Sequence, residues 1–308
     1  MIRKAQGKRM GNDMDVAIVG GSFAGLAAGL MLARARRRVV VFDEGQTRNR
    51  FADAGHGFLG MDGLAPAEMQ RRGQSDLLAY PTARIERARV TSITARDGGF
   101  ELQAGAAWRA AKVILAHGMR DILPDIPGLT EGWGQWAMQC PYCHGYEVAD
   151  QPTGILMTGP AVPHHLTMLR DWTHDLALFC NGHPLPDEVR AKAAGWGIPV
   201  YDLPVAAIRD EGQTRTLLLA DGQEVQRAVV YLVSRSEPSC DLAAQLGCRM
   251  EDGMTGPFVS VDPMQNTSVP GVFAAGDLCR PMYGALFAAA DGARAATAAH
   301  HALLFNDA

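Results

Sequence analysis

The residues of this chain best suited to chemistry are two cysteines and a histidine in the run Cys140-Pro141-Tyr142-Cys143-His144. Two cysteines separated by two residues can close a redox-active disulfide, supply half of a metal site, or attach a c-type haem. The adjacent imidazole of His144 can move protons near neutral pH and can stabilise a thiolate. The motif alone leaves these outcomes open, and its surroundings in the sequence distinguish between them.

A glycine-rich turn near the start of the chain predicts a dinucleotide site. An apolar strand leads into Gly-Gly-Ser-Phe-Ala-Gly at 20–25, and an Ala/Leu-rich helix is expected from there to residue 35. Such a turn brings backbone amides and a helix N-terminus against a pyrophosphate. A second buried strand at 39–42 ends in Asp43, eighteen positions after Gly25, close to the spacing of an acid that binds a ribose.

Composition restricts the function classes. The 308 residues are 47% hydrophobic and 20% charged, as in ordinary globular enzymes, and the net charge of −4 gives no attraction for nucleic acid or anionic membranes. No run of eighteen apolar residues predicts a membrane span. Residues 1–13 are basic but lack an apolar stretch, so we expect a flexible extension rather than a secretion signal, and a cytoplasmic protein.

The other four cysteines, Cys180, Cys240, Cys248 and Cys279, are isolated and lack the spacing of metal ligands. They are expected to be buried as small apolar side chains, and no metal site is predicted. Haem attachment would require export, which does not fit the N-terminal residues, and a small helical domain, which does not fit the alternation of strands and helices. The dithiol therefore reads as a redox-active pair.

The order of strands and helices predicts an α/β fold of two Rossmann-like, three-layer domains, the second inserted in the first. A turn-rich linker at 123–128 and a polar return linker at 234–239 mark the expected boundaries. The predicted first domain comprises 14–122 and 240–308, and the inserted domain 123–239 carries the dithiol. A strand starting near Gly154 and a helix from His164 to Trp172 should open the inserted domain.

Four segments together resemble the low-molecular-weight thioredoxin reductases, FAD-dependent pyridine nucleotide-disulfide oxidoreductases. They are Val-Gly-Gly-Ser-Phe-Ala-Gly-Leu at 19–26, Ala-His-Gly at 116–118, Cys-Pro-Tyr-Cys at 140–143 and Ser-Val-Pro-Gly-Val-Phe-Ala-Ala-Gly-Asp at 268–277. Their order and spacing match over residues 14 to 303. The run Cys-Pro-Tyr-Cys-His is also similar to the flavin-dependent oxidases that close disulfides in dithiol natural products.

The resemblance implies that FAD binds the first domain and that the protein is a homodimer. It implies catalytic roles for Cys140 as the interchange sulfur, Cys143 as the sulfur next to the flavin, and His144 where the family usually has an aspartate. Glu147 is a candidate to orient His144. The FAD contacts that it implies are Gly20, Ser22, Phe23, Ala24, Gly25, Asp43, Glu44, Arg50, His56, Val90, Ala116, Gly118, Gly276, Asp277 and Ala285.

The second nucleotide turn departs from the family. A Gly-x-Gly-x-x-Ala turn for NADPH is expected after the strand at Ile155, but the residues at 158–165 are Thr-Gly-Pro-Ala-Val-Pro-His-His. Two prolines remove amide donors that would face a phosphate. The arginines expected for the 2′-phosphate are replaced by Cys-Asn-Gly-His-Pro at 180–184. The sequence therefore argues against NAD(P)H binding.

The predicted function is flavin-dependent thiol–disulfide exchange through Cys140 and Cys143, with a small dithiol or disulfide or a thioredoxin-like protein as one partner. The second electron partner is left open between a protein donor such as ferredoxin, molecular oxygen and an unusually bound nicotinamide. An NADPH-dependent thioredoxin reductase and a redox sensor without turnover are the remaining alternatives.

Overall fold

A computed structural model describes residues 11–159 and 162–305 of the chain. Residues 1–10 of the predicted flexible extension, and Pro160 and Ala161 of the predicted nucleotide turn, lie outside the described residues. Strand β1 starts at Asp13, within the range predicted as an extension.

The first third of the chain alternates strands and helices and then forms an antiparallel hairpin. Its elements are β1 (Asp13–Val19), α1 (Phe23–Arg34), β2 (Val39–Phe42), α2 (Pro66–Leu78), β3 (Ala83–Glu86), β4 (Ser92–Arg96), β5 (Gly99–Gln103) and β6 (Ala107–Leu115).

The middle of the chain begins and ends with two strands that pair with each other. Its elements are β7 (Met119–Ile122), β8 (Ala137–Met138), α3 (Pro141–His144), β9 (Thr153–Leu156), α4 (Val162–Met168), β10 (Leu176–Phe179), α5 (Asp187–Gly195), β11 (Val200–Tyr201), β12 (Val205–Asp210), β13 (Arg215–Leu219), β14 (Glu224–Arg227), β15 (Val229–Leu232) and β16 (Arg235–Pro238). The final segment adds α6 (Leu242–Gln245), β17 (Met250–Asp252), β18 (Pro257–Val259), β19 (Val272–Ala274) and α7 (Ala285–Leu304).

The first lobe is built on a seven-stranded sheet of order β3-β2-β1-β6-β5-β4, with β19 beside β6. Strands β1, β2, β3, β6 and β19 are parallel, so β1 lies between β2 and β6 with its carboxyl end toward the glycine turn. Helices α1 and α7 pack against each other through buried alanines, including Ala28, Ala295 and Ala299, whose small side chains permit close approach. The chain returns to this sheet through β19 after the whole middle segment.

The second lobe is built on a five-stranded parallel sheet of order β11-β10-β9-β15-β8, beside an antiparallel meander of β12, β13 and β14. Strands β9, β10 and β15 are buried along their whole length, as in sheets covered on both faces. The predicted helix at 164–172 is α4 followed by a short 3-10 turn at Leu169–Asp171. The α/β fold with two parallel-sheet domains is confirmed.

The two lobes are joined by a two-stranded antiparallel ribbon of β7 and β16, in which Arg235 pairs with Ile122 and Pro238 with Met119. The sequence predicts a polar return linker at 234–239, whereas residues 235–238 form this strand. The pairing partner lies more than a hundred residues earlier, so local polarity could not reveal it. Among residues 11–159 and 162–305, no helix is long and apolar enough to cross a membrane.

Candidate active site

A cleft of about 720 Å³ runs from the glycine turn of the first lobe to the cysteine pair of the second lobe. It is lined by Cys140, Cys143 and His144 and by most of the residues expected to contact FAD. Those are Gly20, Ser22, Phe23, Ala24, Asp43, Glu44, His56, Val90, Ala116, Gly118, Gly276, Asp277 and Ala285. Residues separated by more than two hundred positions are thus brought to one cavity.

Two residues expected in the cofactor site do not line the cleft. Gly25 packs on the turn itself, since a Cβ there would lie 1.8 Å from the carbonyl oxygen of Gly20. The guanidinium of Arg50 donates to the carbonyl of Thr47 at 2.7 Å and lies over the ring of Phe51. Gly25 therefore packs against the backbone of the turn, outside the cleft, and Arg50 contacts only residues of its own loop.

The glycine turn is held in a conformation that requires its glycines. Gly20 has φ of +114°, and a Cβ there would lie 2.1 Å from the carbonyl oxygen of Ala116. A Cβ on Gly21 would lie 2.4 Å from the side chain of Asp43. The turn therefore passes tightly between two strand ends, and the N-terminal residues of α1 face the cleft.

Asp43 is buried at the end of β2, with 4% of its surface exposed. Its carboxylate accepts a hydrogen bond from the backbone amide of Gly45 at 2.8 Å and pairs with Arg87. Arg87 was not anticipated from the sequence, because it lies 44 residues away on a separate loop. The hydrogen bond from Gly45 and the ion pair with Arg87 fix the carboxylate at the cleft wall. There it can accept hydrogen bonds from the hydroxyl groups of a ligand.

The cysteine pair is positioned by the short helix α3. Cys140 precedes the helix and Pro141 takes its first position, where a missing N–H is tolerated. One turn brings Cys143 back over Cys140, with the amide of Cys143 donating to the carbonyl of Cys140 at 3.1 Å. The two sulfurs form a disulfide with a Cα–Cα distance of 5.3 Å. The predicted pairing is present, and it opens on the cleft.

His144 lies half-buried beside this disulfide. Its Nε2 is buried and has no hydrogen-bond partner among the described residues. Burial lowers the pKa of His144, the negative charge of Glu147 opposes that shift, and His56 adds to it. The imidazole is therefore favoured in its neutral form, which can accept a proton.

Glu147 does not orient His144 through a hydrogen bond in the structure. Its carboxylate oxygen Oε1 instead lies 3.4 Å from Nε2 of His56, on a loop of the first lobe. The effect of Glu147 on His144 is electrostatic. The expectation for His56 at the cleft wall agrees with its position.

His117, in the predicted Ala-His-Gly segment, also lines the cleft. The hydroxyl of Ser239 donates its one proton to the backbone carbonyl of His117 at 2.7 Å. The same hydroxyl oxygen can therefore only accept in its contact with Nδ1 of His117 at 3.2 Å, so Nδ1 carries the ring proton. Nε2 is left as a buried acceptor with no partner among the described residues. Burial lowers the pKa of His117 to about 4, so the ring is neutral.

Arg48 is the principal site residue that the sequence did not indicate. Its guanidinium donates to Asp121 at 2.5 and 2.9 Å, pairs with Asp277 at 3.1 Å, and lies 3.9 Å from the ring centre of Tyr283. The three partners are 73 or more residues away, so no local pattern could predict the contacts. Asp277, expected to contact the ribityl chain, thus also holds an arginine.

The sequence of this chain is similar to those of known oxidoreductases. A family described as pyridine nucleotide-disulphide oxidoreductase matches residues 14–161. Thioredoxin reductase tcpT of Claviceps purpurea is 33% identical over 287 residues, which cover 86% of this chain and 87% of that protein. The chain belongs to the thioredoxin reductase-like pyridine nucleotide-disulphide oxidoreductases.

Solved structures agree with this membership. The chain is similar to the crystal structure of an oxidoreductase from Agrobacterium tumefaciens, with a TM-score of 0.91 and 38% identity over 96% of this chain and 100% of that one. A putative thioredoxin reductase from Bacillus anthracis gives a TM-score of 0.89 and 30% identity over 95% and 99%. The thioredoxin reductase-like fold therefore extends over both lobes.

Membership in the family implies flavin binding, and the residues of the cleft fit such a group. Gly20, Ser22 and the first residues of α1 line the cleft, so a helix N-terminus is available to a phosphate there, and the buried carboxylate of Asp43 stands at the end of the next strand. The N-terminus of the twenty-residue helix α7 also lines the cleft. The buried Nε2 atoms of His117 and His144 supply further polar contacts.

The second nucleotide turn of the family does not fit NADPH in the same way. Its turn residue Thr158 uses its hydroxyl to donate to the carbonyl of Val233. At the end of β10, the side-chain oxygen of Asn181 accepts from the amide of Val205 at 2.9 Å. Close by, Arg190 is already paired with Asp202 at 2.5 Å, and the Asp202 carboxylate would repel a phosphate. Among residues 11–159 and 162–305, no cluster of three or more potential metal ligands forms.

Proposed function

We propose that this protein is an FAD-dependent dithiol oxidase, which closes the disulfide of a small external dithiol and delivers the two electrons to molecular oxygen. The observation that supports it best is that Cys140 and Cys143 open on the same cleft as the glycine turn, in a chain whose second nucleotide turn lacks the groups for NADPH. Electrons then enter through the thiols rather than from a nicotinamide.

The cysteine pair exchanges with the substrate in two displacements. A substrate thiolate attacks Sγ of Cys140, forming a mixed disulfide and breaking the Cys140–Cys143 bond. The second substrate thiol attacks the substrate sulfur of that mixed disulfide, which closes the substrate disulfide and releases Cys140. The pair now holds two electrons and has taken up the two protons of the substrate.

FAD held by the glycine turn, Asp43 and the N-terminus of α7 would supply the chemistry that cysteines lack, namely uptake of two electrons from a dithiol and their delivery to oxygen. The overall reaction converts a dithiol and O2 to a disulfide and H2O2, so two electrons and two protons balance. His144 accepts the proton of the thiol that must become a thiolate, because burial favours its neutral form.

The cleft on which the disulfide opens has apolar side chains in its walls, which suit a small substrate with apolar surface. Phe51, Trp133, Met138 and Met168 line it together with His165, whose Nε2 lies 3.2 Å from the carbonyl oxygen of Gln139. Thioether and aromatic walls accept varied apolar shapes. A small dithiol fits this description better than a folded protein partner.

Cytoplasmic location and a homodimer remain predictions.

A second candidate is an NADPH-dependent thioredoxin reductase, because the curated relatives of this chain bear that name. It requires NADPH to dock near β9 despite the prolines at 160 and 163. In that case electrons would flow from FAD to the cysteines, opposite to the proposed direction.

Oxygen uptake separates these functions. The purified yellow protein, mixed with dithiothreitol in air, should consume oxygen and form hydrogen peroxide in equal amounts, above the rate of free FAD at the same concentration. NADPH in place of the dithiol should give no uptake. Reduction of a thioredoxin by NADPH, without oxygen uptake from dithiols, would refute the oxidase and support the second candidate.

A further inference from the structure

We propose that Arg48 is an interdomain clamp, a positioning residue that holds the Cys140–Cys143 pair toward the flavin cleft. The inference deepens the proposed function and rests on it, since the pair must face the flavin to exchange electrons with it. The clamp joins three parts of the fold: the first lobe, the β7–β16 ribbon, and the segment that carries the cysteines.

The guanidinium of Arg48 bridges two carboxylates that belong to different parts of the molecule. Asp277 lies in the first lobe and Asp121 lies on strand β7 of the ribbon, and both are within 3.1 Å of its nitrogens. The side chain of Asp121 is only 8% exposed, and that of Arg48 is 20% exposed. Although burial lowers the pKa of Arg48, the hydrogen bonds and charge of Asp121 raise it overall, so the cation persists.

The contact continues from Asp121 to the residue before Cys140. Ser234 Oγ, just before β16, lies 2.6 Å from Oδ1 of Asp121 and 2.6 Å from the Oε1 position of Gln139. A hydroxyl has one proton, and amide oxygen and nitrogen can exchange places. The consistent assignment therefore has Ser234 donating to Asp121 and the Gln139 amide group donating to Ser234.

A second set of contacts ties the clamp to the other ribbon strand. The ring of Tyr283, beneath the Arg48 guanidinium, carries a hydroxyl 2.6 Å from Ser236 Oγ and 3.0 Å from Thr255 Oγ1. Ser236 lies on β16 and is fully buried. Both strands of the ribbon are thus held against the first lobe through Arg48 and its stacking partner.

The position of these contacts gives them a role in orientation rather than in packing alone. The ribbon is where the chain passes from the first lobe to the second and back, which makes it the natural hinge between them. A buried ion pair at a hinge favours one arrangement, because a rotation that moved Asp121 away from the first lobe would leave its buried carboxylate without the Arg48 cation. Loss of Arg48 should therefore allow the cysteine pair to swing out of the cleft.

Accessibility of the two cysteines tests the clamp. Holoenzyme is reduced anaerobically with a phosphine, desalted, and treated with a bulky polymer maleimide, and labelled cysteines are located by mass spectrometry. Arg48→Gln should label Cys140 and Cys143 about tenfold faster than wild type or more. Arg50→Gln is the matched control, because Arg50 contacts only its own loop, and should stay within about twofold.

Cys180, Cys248 and Cys279 are buried and report global unfolding in the same experiment. If these three cysteines also react in Arg48→Gln, that variant is unfolded and Arg48→Lys is labelled instead. Lysine can pair with Asp121 but cannot span both carboxylates and stack on Tyr283. Faster labelling of Cys140 and Cys143 alone in that variant supports the clamp. Equal labelling in Arg48→Lys and Arg50→Gln overturns it.

Failure of the clamp is distinguishable from failure of the proposed function. Phosphine reduction opens the disulfide whether or not the protein oxidises dithiols, so labelling does not require turnover. If wild type fails to bleach with dithiothreitol, the proposed function falls while the labelling result stands. If wild type bleaches and Arg48→Gln labels no faster than Arg50→Gln, only the clamp falls.

Discussion

Nε2 of His56 lies 3.4 Å from Oε1 of Glu147, so a loop of the first lobe contacts the segment that follows the redox disulfide. The contact spans ninety-one positions of sequence and places the same carboxylate in the field of His144. Glu147 and His56 therefore act on the pKa of His144 in opposite directions, the carboxylate raising it and the imidazole lowering it.

The rate of dithiol oxidation should fall in acid solution as His144 takes up a proton, and this fall is called the acid limb of the pH–rate profile. Replacing Glu147 by glutamine should move the acid limb to lower pH. The negative charge of Glu147 raises the pKa of His144, so its removal lowers that pKa further and keeps the base neutral in more acid solution. The measurement is the rate of flavin bleaching by dithiothreitol as a function of pH. Asp62→Asn is the control, since Asp62 contacts Nδ1 of His56 at 3.7 Å and the amide of Gly57 at 2.8 Å but is not among the groups that shift the pKa of His144. A limb that moves upward, or moves equally in both variants, contradicts this account.

His144→Gln should slow bleaching of the flavin by a dithiol by roughly 10² to 10⁴-fold, the usual contribution of a positioned base. Glutamine has similar bulk but cannot accept a proton, so the acid limb should also disappear. His174→Gln, at an exposed position, should leave the rate unchanged. A loss of less than about threefold in His144→Gln would remove the proton-transfer role from this residue.

The two cysteines should behave differently when replaced singly. Cys143→Ser keeps the sulfur that exchanges with substrate, so one half of an aromatic disulfide should accumulate as a mixed disulfide on Cys140, with the other half released as an aromatic thiolate, and the adduct is visible by mass spectrometry. Cys140→Ser should not trap substrate in this way, and Cys240→Ser, which removes a free thiol outside the redox pair, should bleach like wild type. Trapping on Cys143 alone would reverse the assignment of roles.

Acid should destabilise the protein through His117. Its pKa is about 4 in the folded protein against an ordinary value of 6.5, so between these values the unfolded chain binds more protons. The contribution is fully present above pH 6.5 and is lost as the pH falls toward 4, by about 3 kcal/mol in total. Denaturant unfolding at several pH values should show a shallower acid slope in His117→Gln than in wild type. Parallel slopes for the two proteins would contradict a buried neutral imidazole.

The sequence was most informative where the chemistry is local. The dithiol spacing, the glycine turn and Asp43 each depend on residues a few positions apart, and hydrophobic runs identify the buried parallel strands. The α/β fold of two parallel-sheet domains follows from those runs and is confirmed.

What could not be read from the sequence depends on long-range contacts. Arg48 and Arg87 acquire their roles from carboxylates that the fold brings to them, and a polar segment at 234–239 becomes a strand because β7 lies beside it. Glu147 stands three residues after His144, at helical spacing, yet α3 ends at His144 and the carboxylate turns toward His56. Each of these outcomes depends on partners between 44 and 229 positions away or on where a single turn stops.

The most direct test of the account is anaerobic stopped-flow reduction of the purified yellow protein by three donors in parallel: dithiothreitol, NADPH and NADH. We expect that the dithiol bleaches the flavin, that neither nicotinamide does so at a comparable rate, and that admission of air restores the yellow colour. Faster bleaching by NADPH than by the dithiol would contradict the proposed direction of electron flow through Cys140 and Cys143.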